Sequence, residues 1–174
     1  MKKLLFAAPL ALSLALAGCG ETAVEDVTDS KSSASKESAE KKETKDENKI
    51  YKVGDTVKVD GVEITITKAA FTPPAEYSEP QNGKILTLDV KVVNTNKDSS
   101  YIDETDFNLY DLEGNQFESY FGYDKMAISA DLNAGKQKKG NLYYDVSEEK
   151  AYELVYAPAF SWDNKEVKWK IKVQ

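Results

Sequence analysis

From residue 51 onward, apolar side chains recur at every second position. Val62, Ile64 and Ile66 alternate with Glu63, Thr65 and Thr67. Leu86, Leu88, Val90 and Val92 alternate with Thr87, Asp89 and Lys91, and Leu142, Tyr144 and Val146 with Tyr143 and Asp145. Val167, Trp169, Ile171 and Val173 are separated by Lys168, Lys170 and Lys172. Successive side chains of a strand point to opposite faces, so each run describes a strand with one buried and one wetted face. The breaks agree. Asp60-Gly61 between Val59 and Val62 is a type I′ hairpin signal, and Glu113-Gly114-Asn115 and Asn133-Ala134-Gly135 divide further runs. Pro73-Pro74, Pro80 and Asn82-Gly83 mark a loop spanning Thr72–Gly83. The pattern predicts seven or eight strands, at about 55–60, 62–71, 84–94, 105–111, 115–118, 137–146, 152–157 and 165–173. Strands at this spacing predict an all-β, antiparallel sandwich. Ser147-Glu148-Glu149-Lys150 suits one short helical turn between sheets.

The period is missing upstream. Residues 1–18 read as a secretory leader: Lys2 and Lys3, then a mainly apolar run from Leu4 to Ala17, too short to stay in a bilayer as a spanning helix. It closes on Leu16-Ala17-Gly18-Cys19, the layout of a lipobox. Leu16, Ala17 and Gly18 would be recognised by the signal peptidase and Cys19 would carry a diacylglycerol, whose two chains suffice for a stable anchor. That expectation places the protein on the extracytoplasmic face of the cell membrane. Residues 19–50 are rich in Ser, Lys, Glu, Ala and Thr, with few large aliphatics. Such a composition buries too little to offset its ordering entropy and predicts a disordered linker. The organisation expected is therefore leader 1–18, lipidated cysteine and linker 19–50, and one folded domain 51–174.

Val53-Gly54-Asp55-Thr56-Val57 followed by Gly61-Val62-Glu63-Ile64-Thr65-Ile66-Thr67 resembles the opening of domain of unknown function 4352, found in lipoproteins of Gram-positive bacteria. Val92-Val93-Asn94-Thr95, Phe107-Asn108-Leu109-Tyr110-Asp111 with Gly114, Leu132 with Gly135, Lys139-Gly140 and Tyr152-Glu153-Leu154-Val155-Tyr156 extend the likeness over about residues 52–160. The resemblance implies an immunoglobulin-like sandwich similar to immunoprotective extracellular proteins. It implies no activity and no site residue.

Composition removes several chemistries. The chain has no histidine, and Cys19 is its single cysteine. Ser-His-Asp and Cys-His nucleophilic systems are excluded, as are histidine-ligated metals and internal disulfides. All 23 basic residues are lysine, so no guanidinium fork is available for bidentate phosphate recognition. Without residues 1–18 the net charge is −9, which disfavours nucleic acid as a partner.

Three stretches carry candidate chemistry. Asp103, Glu104 and Asp106, with Asp111 nearby, offer oxygen ligands of the kind that bind calcium, although the spacing is not that of an EF-hand; the alternative is a solvated sheet edge. Phe117, Tyr120, Phe121 and Tyr123 concentrate aromatic rings that could anchor a partner or stack a sugar. Against that stands a packing role, in which Phe117 and Phe121 close the end of the core and the tyrosines lie at its rim. Tyr77, in the proline-rich loop, is the third candidate. Trp162 and Trp169 read as packing residues.

No catalytic residue and no cofactor other than the lipid are expected. The functional expectation is a non-enzymatic, membrane-anchored binding or adhesion module for a protein or cell-wall ligand. A calcium-binding structural or sensing lipoprotein is the alternative, and a cell-wall polymer hydrolase built on paired carboxylates the remote one.

Overall fold

The computed structural model describes residues 24–26, 49–158 and 166–173. The leader, the lipobox residues Leu16, Ala17, Gly18 and Cys19, and Trp162 lie outside the described residues.

Among the described residues twelve strands follow one another: β1 (Val24–Asp26), β2 (Ile50–Lys52), β3 (Thr56–Val59), β4 (Val62–Thr72), β5 (Lys84–Asn94), β6 (Ser100–Asp103), β7 (Phe107–Tyr110), β8 (Gln116–Ser119), β9 (Ser129–Leu132), β10 (Gln137–Val146), β11 (Tyr152–Tyr156) and β12 (Val167–Ile171). All eight expected segments contain a strand. The four others are short. Ten strands form one curled sheet in the order β1-β3-β4-β5-β10-β8-β7-β11-β12-β2, while β6 and β9 pair with each other. The curl makes two layers. β8 joins them, pairing with β10 through Glu118 and Ser119 and with β7 through Gln116 and Phe117. The result is an immunoglobulin-like β-sandwich, antiparallel except where β2 runs parallel to β12.

The layers have two ends. Asp60 (φ 47°) and Gly61 (φ 77°) both take the left-handed backbone that a type I′ turn demands, and they form the hairpin end between β3 and β4. β4 runs from there to the Thr72–Gly83 loop, and β5 returns alongside it to Asn94. A bulge between Ile66 and Lys68 shifts the register of this pair. β10 leaves the hairpin end at Gln137 and reaches the loop end at Val146, opposite Lys84.

Ile64, Ile66, Leu86, Leu88, Tyr152 and Trp169 are fully buried between the layers. Each such side chain contributes about 1.5–3 kcal/mol by leaving water. Trp169 is a packing residue, with its ring 6.1 Å from that of Tyr51.

Two expectations need correction. Val24–Asp26 is not linker: it pairs with Val57–Val59, and Val24 packs against the core. The three residues add to the edge of β3 that faces away from β4. Ser147–Lys150 is not helical. The Tyr152 hydroxyl staples it instead, donating to the Ser147 carbonyl (2.7 Å) and accepting from the Glu149 amide (3.0 Å).

Candidate functional site

The outer face of the β4-β5-β10 layer is roofed near its loop end. Ile85, Tyr120 and Tyr143 are buried there, with Ala75, Tyr123 and Ala127 against them. The segment after β8 crosses this face. Its Tyr120 amide donates to the Tyr143 carbonyl (2.9 Å), and the Tyr120 ring stands edge-on to Tyr123 at 5.1 Å. The Tyr120 hydroxyl reaches into the proline-rich loop. It accepts from the Ala75 amide (2.9 Å) and donates to the Ser78 carbonyl (2.6 Å). The Tyr123 hydroxyl donates to the Pro73 carbonyl and lies 2.7 Å from Thr72 Oγ1. Gly122 permits this closure, since a Cβ there would stand 2.1 Å from the Tyr120 hydroxyl. Asp145 fixes the other side of the loop by accepting from the Gln81 (2.6 Å) and Asn82 (2.9 Å) amides.

This roof throws one ring outward. Phe121 is 79% exposed on a backbone held by its neighbours. It stands between two open hollows. One, of about 210 Å³, has Glu104, Phe107, Gln116 and Tyr144 in its wall; the other, of about 220 Å³, has Ser78, Glu79, Asn82 and Asp145. Phe121, Glu118 and Ser119 line both. The expected packing role is thus reversed. Tyr120 is buried and Tyr123 half-buried, while Phe121 is out. Of the pair expected to close the core, Phe117 alone does so, edge-on to Tyr152 at 5.8 Å. Tyr77 is 96% exposed at φ 63°, in a tight turn closed by the Ser78 amide on the Ala75 carbonyl (3.1 Å). A non-glycine residue in that region costs roughly 1–2 kcal/mol of backbone strain.

The acidic stretch is spent on backbone. Asp103 caps the short 3₁₀ turn Glu104–Asp106: its Oδ1 accepts from the Thr105 amide (3.1 Å) and hydroxyl (2.8 Å), and its Oδ2 from Tyr101 (2.9 Å). A hydrogen bond from Ser129 foremost, with those from Thr105 and Tyr101, lowers its pKa to about 2 against partial burial. Asp106 is buried and accepts from the Asp103 amide (3.2 Å), completing a capping box. Glu104 is raised, by burial first and the Asp103 charge second. Asp111 lies elsewhere, in the β7–β8 turn. It accepts from the Glu113 and Asn115 amides (2.9 and 2.8 Å) and from Asn115 Nδ2 (2.7 Å), which lowers its pKa. Among the described residues no three carboxylates come together to hold a metal ion. The calcium cluster expected from Asp103, Glu104, Asp106 and Asp111 is not assembled.

A curled sandwich agrees with the fold implied by the family likeness already noted, and residues 51–167 match the family described as Domain of unknown function (DUF4352). The chain belongs to that family. It is also 32% identical over 136 residues to the "Uncharacterized lipoprotein YcdA" of Bacillus subtilis (strain 168), covering 76% of this chain and 36% of that protein. The crystal structure of YcdA superimposes with a TM-score of 0.56 at 31% identity, over 65% of this chain and 37% of that one. This DUF4352 chain therefore spans about a third of the length of the YcdA protein. The yjhA protein of B. subtilis has the same fold, with a TM-score of 0.57 at 19% identity, over 72% of this chain and all of that one.

Proposed function

We propose that this DUF4352 protein is a lipoprotein, anchored through a diacylglycerol on Cys19 to the extracytoplasmic membrane face, and that its sandwich is a non-enzymatic binding module. The lipobox and the lipoprotein relative support the anchor. One observation carries the binding reading: Phe121, a large apolar ring 79% exposed between two hollows, next to Tyr120, whose amide and hydroxyl are both hydrogen-bonded. Exposing such a ring forfeits burial worth about 2 kcal/mol or more, and a rigid aromatic anchor loses little entropy on contact. Carboxylates at Glu79, Glu104 and Glu118 border it, so the ligand, a protein or a cell-wall component, would present an apolar or sugar face with cationic groups beside it. The test is capture from envelope extracts on the immobilised chain, comparing wild type with Phe121→Ala. Specific capture that the substitution abolishes supports the reading. Equal capture by both forms refutes it.

A further inference from the structure

We infer that β1 clamps the lipid-bearing N-terminus onto the edge of β3, so that the sandwich stands on the membrane by its hairpin end, with Phe121 toward the far end. The inference rests on the Cys19 anchor proposed above and adds the geometry of attachment.

The register supplies the direction. Val24 lies opposite Val59 and Asp26 opposite Val57, so β1 begins beside the Asp60-Gly61 turn and runs toward the loop end. The chain that joins Val24 to Cys19 therefore leaves at the hairpin end. Ile50, the next described residue that pairs into the sheet, lies opposite Lys168 near the start of β12. β11 pairs antiparallel with both β7 and β12, and β7 climbs toward the turn next to Gln116, so the start of β12 is also at the hairpin end. Both attachments thus present the same end to the membrane.

They differ in reach. Cys19 precedes Val24 by five residues, which span at most roughly 17 Å when fully extended. Attachment at Ile50 alone would leave 31 residues between the lipid and the sheet, a reach several times longer. Pairing of β1 replaces the long tether by the short one. Physical reasons favour it as occupant of this edge. β2 and β3 border the seam between the layers, the outer backbone of β3 would otherwise stand open, and Val24 packs on the core there. The loop end lies one length of β4 farther out, roughly 33 Å. Phe121 follows Tyr120, which is bonded to Tyr143 in the loop-end third of β10, and so lies toward the end remote from the lipid.

The full lipidated chain in liposomes tests this. A donor dye is placed on Asp98→Cys at the hairpin end or on Tyr77→Cys at the loop end, with an acceptor in the bilayer. Val24→Pro, which removes an amide from β1, is compared with Val24→Ile. The expected result is strong transfer from position 98 and weak transfer from 77. Val24→Pro alone should reduce transfer at 98 and speed amide exchange at Val57–Val59 by about tenfold or more. Transfer and exchange that Val24→Pro leaves unchanged would overturn the clamp. Stronger transfer from 77 than from 98 would overturn the orientation. Failure of wild type to float with liposomes would overturn the anchor and the membrane orientation built on it, whereas the β1–β3 pairing is read separately, by exchange at Val57–Val59.

Discussion

Two short stretches stand out chemically, 101–106 for its carboxylates and 120–123 for its rings, and the fold treats them oppositely. Asp103 and Asp106 turn their oxygens onto the backbone and hydroxyls of their own turn. Tyr120 and Tyr123 likewise spend their hydroxyls on a neighbouring loop, yet doing so holds Phe121 out in solvent. Density of one residue type is thus a poor sign of a site. What matters is whether the groups still have capacity once the local backbone is satisfied. The carboxylates of the capping box are occupied, whereas the face of Phe121 is free for a partner.

Substitutions sharpen this contrast. Tyr120→Ala should cost most, about 3 kcal/mol, because it opens a cavity under the roof and leaves the Ala75 amide and Ser78 carbonyl without their partner. Thermal unfolding measures it, and a loss near zero would mean that the roof is not a packed unit. Asp106→Ala should cost about 2 kcal/mol, since the Asp103 amide loses its acceptor at a buried position. Asp103→Ala should cost about 1 kcal/mol as a lost cap. Its pH dependence follows from the lowered pKa. The folded value, about 2, lies below the roughly 3.9 of an unfolded aspartate, so the contribution of Asp103 is complete above pH 4 and vanishes as pH falls toward 2. Denaturant titrations of wild type and Asp103→Ala should therefore converge below pH 4; a constant gap would contradict the hydrogen-bonded carboxylate. Millimolar calcium should leave the melting temperature unchanged, because the acidic groups are not gathered.

The sandwich was legible because its signal is local. Alternation in 62–71, 84–94 and 137–146 and the Asp60-Gly61 turn depend on near neighbours in sequence, and each expected segment contains a strand. β1, β2, β6 and β9 were missed for the opposite reason. Each has three or four residues, and its pairing is set by a distant edge, as in the parallel contact of β2 with β12. The candidate site was half legible. The cluster 117–123 was recognisable, but which ring is buried depends on the bond from Tyr120 to Ser78 of the 73–83 loop, 42 residues away in sequence, and on the space left by Gly122. The carboxylates near 103 were read as possible calcium ligands, and the structure does not gather them into a cluster. Composition carried no trace of the capping box that consumes them beyond the Asp-x-x-Asp spacing of Asp103 and Asp106.

Phe121→Ala should be the mildest change of all for stability, within about 0.5 kcal/mol, since the ring is solvated. That makes it the cleanest probe of the proposed contact surface. The decisive measurement is equilibrium binding of envelope extract to immobilised wild type, Phe121→Ala and Asp103→Ala at matched folded concentration. The prediction is retained binding by wild type and Asp103→Ala, with loss in Phe121→Ala at unchanged melting temperature. Undiminished binding by Phe121→Ala would contradict it.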